Sequence, residues 1–188
     1  MLKVVLVLAA ALVIVGLILI LNPKLNQGLT GPNPINTNSS VSTPTPSPTS
    51  GMVSKVKIFM IGLEDQGKSG QKIGCDDSVV AVEREITPTQ APLGAALTQL
   101  LSLKSKDYGQ SGLYNALYQS DLKLDNVTIA SGVAQITLSG KLSSGGVCDD
   151  PRIKAQFEST ALQFPTVKEA KITINGQDLN TLLSGSGK

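Results

Sequence analysis

Along the chain the apolar residues come first in one unbroken block, then disappear, and then return with short periods. The block is Val4 to Leu21, 18 residues with Lys3 before it and Asn22-Pro23-Lys24 after it. As a helix it would measure about 27 Å, close to the roughly 30 Å hydrocarbon thickness of a bilayer. A cleaved secretory signal is the competing reading, but its apolar core is shorter and ends in an A-x-A-like site, which is missing after Leu21. The expectation is an uncleaved single-pass transmembrane helix over 4–21, within an N-terminal anchor at 1–21. Lys3 and Lys24 flank it almost evenly, so charge alone does not orient it.

Residues 22–53 are Pro, Ser, Thr, Asn and Gly with Lys24 as their one charge, and show no period. Such a composition reads as a flexible linker, with a root-mean-square reach of about 30 Å that Thr43-Pro-Thr-Pro-Ser-Pro48 lengthens toward polyproline geometry. A protease-exposed tether of this kind suits a cell envelope, which favours placing the rest of the chain outside the cytoplasm. Residues 54–183 are then one domain, enough for a single sizeable core, and 184–188 a disordered tail.

Within that domain, alternation predicts strands at 55–62 and 78–86. Leu93, Ala96, Leu97, Leu100 and Leu101 form one stripe at helical spacing, so a helix is expected from about Pro92 to Leu103. A short turn-rich helix is expected near 112–118. Strands at 122–129 and 133–141, joined through Ala130-Ser131-Gly132, form a predicted β-hairpin. A second helix starts at Pro151, turns Ile153, Phe157, Ala161 and Phe164 inward and stops at Pro165. A strand at 168–174 ends at the turn Asn175-Gly176. The order β-β-α-β-β-α-β predicts an α+β domain: a mixed or antiparallel sheet of about five strands with both helices on one face.

Charge removes one class of function. Beyond Ser54 the chain's 14 acidic residues are balanced by 14 of its 16 basic ones, and there is no tryptophan and only three Phe and three Tyr. Without a basic excess no nucleic-acid surface is expected. There is also no histidine, so Ser-His and Cys-His nucleophile pairs are excluded, and scattered carboxylates do not define an acid pair.

Gly62 to Ser69 fits the phosphate-loop pattern G-x-x-x-x-G-K-[ST] and follows a predicted strand. A working loop of that kind opens a helix whose N-terminus holds the anion. Here Gly70, Gly74, Asp76 and Asp77 occupy the stretch where the helix would be. The expectation is a long polar connection between two strands, with no nucleotide and no cofactor.

The two cysteines lie in matching triplets, Cys75-Asp76-Asp77 and Cys148-Asp149-Asp150. Zinc would need two further soft or borderline donors, and no histidine is present, so no metal is assigned. A disulfide spanning 73 positions would stabilise the fold by about 4 kcal/mol in the chain-entropy account; two free buried thiols are the alternative. If bridged, the four aspartates cluster around the link, where a hard cation such as calcium is a further alternative. Asp150 before Pro151 has a simpler role as the N-cap of the second helix.

Taken in order, Val56-Lys57-Ile58-Phe59, Val82-Glu83-Arg84-Glu85-Ile86, the Leu93 to Leu101 helix, Gly132 to Gly140, Thr160 to Val167 and Ile172-Thr-Ile-Asn-Gly176 resemble a GerMN domain. That family is named for the sporulation and spore-germination protein GerM. The resemblance spans nearly the whole domain and implies an extracytoplasmic, membrane-tethered module, similar to the ring-building motifs of sporulation channel components. It carries over no catalytic residues. The Cys148-Asp-Asp-Pro-Arg152 segment with Cys75 looks like a disulfide-bearing branch of the family. The implied function is non-enzymatic: binding of a partner protein or cell-wall polymer in the bacterial envelope, with homo-oligomer formation left open. The rival is a small-ligand or glycan-binding domain, calcium-assisted, using Asp76, Asp77, Asp149, Asp150 and Arg152.

Overall fold

The computed structural model describes residues 51–185. The expected anchor at 4–21 and nearly all of the linker lie outside the described residues, and among the latter no helix is long and apolar enough to cross a membrane. Strand β1 covers Val53–Gly62, β2 Gln71–Lys72, β3 Ser78–Thr89, β4 Asp121–Ala130, β5 Val133–Lys141, β6 Glu169–Ile174 and β7 Gln177–Asp178. Helix α1 covers Pro92–Ser102, α2 Asp149–Leu162 and α3 Leu179–Gly185.

The architecture is α+β, but the expected single sheet divides into two: an antiparallel sheet in the order β1-β3-β2 and a second in the order β4-β5-β6-β7. In the second, β4-β5 is the expected hairpin, and β6 returns parallel to β5 after the crossover through α2. The sheets separate because α1 lies against both β1 and β4, so its apolar stripe is shared between them. Helix α2 likewise contacts β1 and β6. The core sits where these elements meet, with Ile58, Met60, Leu97, Leu100, Ile136, Leu138, Ile153 and Phe157 fully buried.

The expected short helix at 112–118 is a set of turns. Gly112 adopts φ 73°, and Tyr114 exchanges backbone hydrogen bonds with Ile61, 2.9 and 2.7 Å long. A backbone occupied in this way cannot also close helical turns. Helix α2 begins at Asp149, with Cys148 in the capping position and no side-chain cap. Asp150 is therefore not the N-cap but a first-turn residue, where its charge suits the helix dipole. The helix ends ahead of Pro165, and Phe164 is half-buried. The expected tail at 184–188 begins inside α3, which reaches Gly185.

Three side chains outside the apolar pattern shape the fold. Gln156, fully buried, donates from Nε2 to the Phe59 carbonyl at 2.8 Å and accepts from the Ala116 N–H at 2.9 Å. Gln163 brackets Lys57, accepting from its N–H at 2.8 Å and donating to its carbonyl at 2.7 Å. Tyr114 supplies the third pairing along the same strand. The edge of β1 that faces away from β3 is thus closed at Lys57, Phe59 and Ile61, which removes a template for unwanted strand pairing.

Because buried backbone groups lose about 1–3 kcal/mol each when a partner is deleted, Gln156→Ala should destabilise the domain by about 3 kcal/mol, read as a lower urea midpoint at unchanged m-value. Gln163→Ala, at a solvent-exposed edge, should cost well under half of that in the same measurement.

Candidate functional site

The two cysteine loops meet. Cys75, in the turn Gly74–Asp76 that precedes β3, is disulfide-bonded to Cys148 at the start of α2, with Cα atoms 5.8 Å apart. Cys75 and Asp76 both adopt left-handed backbone, φ 63° and 58°. That conformation is uncommon for residues with a Cβ and persists where neighbouring contacts over-determine it. The contacts here are backbone bonds from Gln66 N–H to the Asp76 carbonyl at 2.7 Å and from Ile73 N–H to the Asp77 carbonyl at 2.9 Å.

Beneath the bridge lies a buried ion cluster. Arg152 Nε donates to Asp77 Oδ2 at 2.6 Å and Nη1 to Asp149 Oδ1 at 3.1 Å. The three side chains are 16%, 0% and 5% exposed, so the charges compensate one another largely away from water. Asp77 Oδ1 accepts the Glu64 N–H, and Asp149 Oδ2 accepts the Gly145 N–H, each at 2.9 Å. Tyr114 donates its hydroxyl to both Asp149 oxygens at 3.0 and 3.1 Å, while its ring centre lies 5.5 Å from the guanidinium. Burial, and then the bond to Asp149, pushes the Tyr114 phenol well above its ordinary value, so it remains a donor throughout the physiological range. Burial works against the Arg152 charge, but the bonds to Asp77 and Asp149 outweigh it and raise its pKa.

Of the five residues expected to hold a ligand, Asp77, Asp149 and Arg152 come together, and their polar atoms are turned onto one another. Asp76 is apart, in an exposed pair with Lys72 at 2.9 Å. Asp150 accepts from Ser144 Oγ at 2.9 Å. The inner carboxylate oxygens already accept from Arg152, Tyr114 and two amides, a donor set that leaves no oxygen-lined cage for calcium. Among the described residues no group of three or more His, Cys, Asp or Glu is placed to hold a metal ion. The cluster is a brace between β3 and α2. Tyr114 and the amides of Glu64 and Gly145 could not be read from the sequence, because neither a lone tyrosine in a turn nor a backbone N–H leaves a local signal.

The phosphate-loop match also has a structural account. Gly62 ends β1, and the next seven residues fold around Asp65. Its carboxylate accepts the N–H groups of Gly67 at 3.0 Å and Ser69 at 2.8 Å and the Ser78 hydroxyl at 2.6 Å. The amides that a phosphate would need are bonded to the loop's own aspartate. The chain then enters β2 through Gly70, which lies so close to the Val79 carbonyl that no Cβ would fit. The Ser78 hydroxyl, followed by Ser69, holds the Asp65 carboxyl far below the usual carboxylate range.

The fold and this brace define a disulfide-closed α+β domain with two sheets. The sequence pattern of the Germane family, described as sporulation and spore germination, matches residues 64–180, and the chain belongs to that family. A search of curated proteins gives no match. Among solved structures, the chain is similar to the first GerMN domain of the sporulation protein GerM from Bacillus subtilis. That match has 20% identity and a TM-score of 0.48, over 67% of this chain and 86% of that one. The tandem GerMN domains of the same protein match at 16% identity and a TM-score of 0.47, over 65% of this chain. The chain spans 39% of that tandem structure.

Removing the cation from a buried cluster leaves uncompensated charge, at a cost of about 3–5 kcal/mol. Arg152→Met should therefore lower the unfolding free energy by about that amount, read from a urea titration, and Arg152→Lys should restore only part of it because a point charge cannot bridge both carboxylates. Asp65 predicts an acid dependence. Its folded pKa is depressed, so its contribution is fully present above its ordinary value of 3.8 and is lost as pH falls through the folded value. Wild type should be more stable than Asp65→Asn at neutral pH, with the gap closing in strong acid. A gap that stays constant from pH 7 down into that range would remove Asp65 from this role.

Proposed function

We propose that the chain is a non-enzymatic, membrane-tethered module of the sporulation and germination family whose domain lies outside the cytoplasm and binds a partner protein or a cell-wall polymer. The observation that carries the binding role is the contrast between the two edges of the first sheet. β1 is closed at three successive outward positions, whereas β3 is covered by β2 only at Ser78 and Val79. Lys57 lies opposite Glu83, and Phe59 opposite Ala81. Since Lys57 and Phe59 point their backbone groups away from β3, the antiparallel pattern turns those of Ala81 and Glu83 toward the other edge. That open edge suits an added strand from a partner. The Cys75–Cys148 bridge supports an oxidising location, and the apolar run Val4 to Leu21 followed by the Pro-rich linker supports a tether.

Two measurements test this reading. Chain extracted from its native membrane and denatured should show no free thiols before reductant and two after it, matching its two cysteines; two in both conditions would place the domain in a reducing compartment. In living cells, a photocrosslinking residue at Ala81 or Glu85 should capture an envelope protein or wall polymer, and one at Lys171 on the other sheet should not. Ala81→Pro, which deletes an edge N–H without touching the β1 ladder, should abolish capture at Glu85. Equal capture from all three positions, or capture indifferent to the proline, would sink the strand-edge reading.

A further inference from the structure

The second arginine on the inner side of the fold is built differently from the first. A cavity of about 370 Å³ lies beside the end of α1 and is lined by Met60, Arg84, Leu103, Ser105, Asp107 and Tyr108. Arg84 Nη1 donates to the Tyr108 hydroxyl at 3.0 Å, and the guanidinium carbon lies 5.9 Å from the centre of that ring. Both side chains are half-buried. Among the described residues, Arg84 is thus held by a neutral phenol and an aromatic face, whereas Arg152 is closed by two carboxylates. A guanidinium offers five donors in a planar fork that matches a carboxylate in two parallel bonds, and aromatic contact fixes its plane.

The cavity is formed in advance. Fully buried Asn115 donates from Nδ2 to the carbonyls of Leu103 and Ser105, at 3.0 and 3.4 Å, and from its N–H to the Lys106 carbonyl at 2.8 Å. The Tyr108 N–H reaches the Leu113 carbonyl at 2.9 Å. The segment that carries Ser105, Asp107 and Tyr108 is therefore pinned, and little ordering entropy remains to oppose binding.

The lining also discriminates. Asp107, which lines the same cavity, repels a doubly charged phosphate more strongly than a singly charged carboxylate, and its carboxylate is an acceptor for an N–H next to the bound group. Leu103 and the ring of Tyr108, both half-buried, present an apolar wall to the cavity. We propose that this cavity binds the C-terminal carboxylate of a peptide whose last residue is small and apolar. Arg84 takes the carboxylate, Asp107 the terminal amide N–H, and Leu103 with the Tyr108 ring the side chain. The segment that carries Asp107 pairs with Tyr114, and Tyr114 with Ile61, on the β1 side of the first sheet, so the pocket goes beyond the strand-edge reading and does not depend on it.

The test is calorimetric titration of the full-length chain, in detergent, with N-acetyl-alanyl-alanine and with its C-terminal amide, which differ only in the carboxylate. The acid should bind saturably and the amide at least about tenfold more weakly, as expected when a charge-assisted bidentate pair is lost. Inorganic phosphate should compete less well than acetate. Arg84→Gln should erase the preference for the acid, and Asp107→Asn should narrow the margin by which acetate outcompetes phosphate. The wild-type contrast of acid with amide decides the matter even if Arg84→Gln fails to fold. Acid and amide binding alike, no heat from the acid up to about 10 mM, stronger competition by phosphate, or an unchanged preference in a folded Arg84→Gln would each overturn the assignment. Photocrosslinking from Ala81 and Glu85 that persists in any of those cases would leave the strand-edge reading standing without the pocket.

Discussion

A single guanidinium held between two buried carboxylates fixes how the halves of this domain meet. Arg152 rises from the first turns of α2, and Asp77 precedes β3, so their 2.6 Å contact joins elements 75 positions apart. The disulfide reinforces the same junction from outside, and Tyr114 reaches it from the connection between α1 and β4. Each buried charge would be costly alone; as a closed set with amide and hydroxyl partners they tolerate burial. Because the set satisfies itself, it holds the fold and offers little to a ligand. Asp77, Asp149 and Arg152, chemical in appearance in the sequence, brace the fold for that reason.

The same logic sorts the rest of the polar interior. Gln156 and Gln163 reach from α2 to β1 and close its outer edge with side-chain amides that imitate a neighbouring strand. Asn115 does comparable work for the connection after α1, tying three carbonyls along it. Where such partners run out, along β3 beyond its short pairing with β2 and around Arg84, backbone and guanidinium donors are left facing open edge and cavity. In a chain without histidine, the polar groups that the fold does not close are the ones with hydrogen bonds still to offer.

The loops around Cys75 and Cys148 are locked by covalent bond, ion pairs and left-handed backbone, so little freedom is left at the junction they form.

The sequence by itself determined the local elements. The stripe from Leu93 to Leu101, the hairpin turn at Ser131-Gly132, the second helix and the last long strand were all legible, because apolar periodicity and turn residues act within a few positions. It also brought the two Cys-Asp-Asp triplets forward as a pair. Tertiary structure decided what pairs across distance: that α1 separates two sheets, that Tyr114 bonds to Ile61 and so forbids a helix, and that Asp65 occupies the amides of a phosphate-loop pattern. It also decided that Asp77 and Asp149 face Arg152 while Asp76 meets Lys72 and Asp150 accepts from Ser144, and that Arg84 is held by Tyr108. Adjacent aspartates are indistinguishable in a string of letters. The direction each carboxylate takes is set by backbone dihedrals and by partners many positions away, and only the folded chain supplies those.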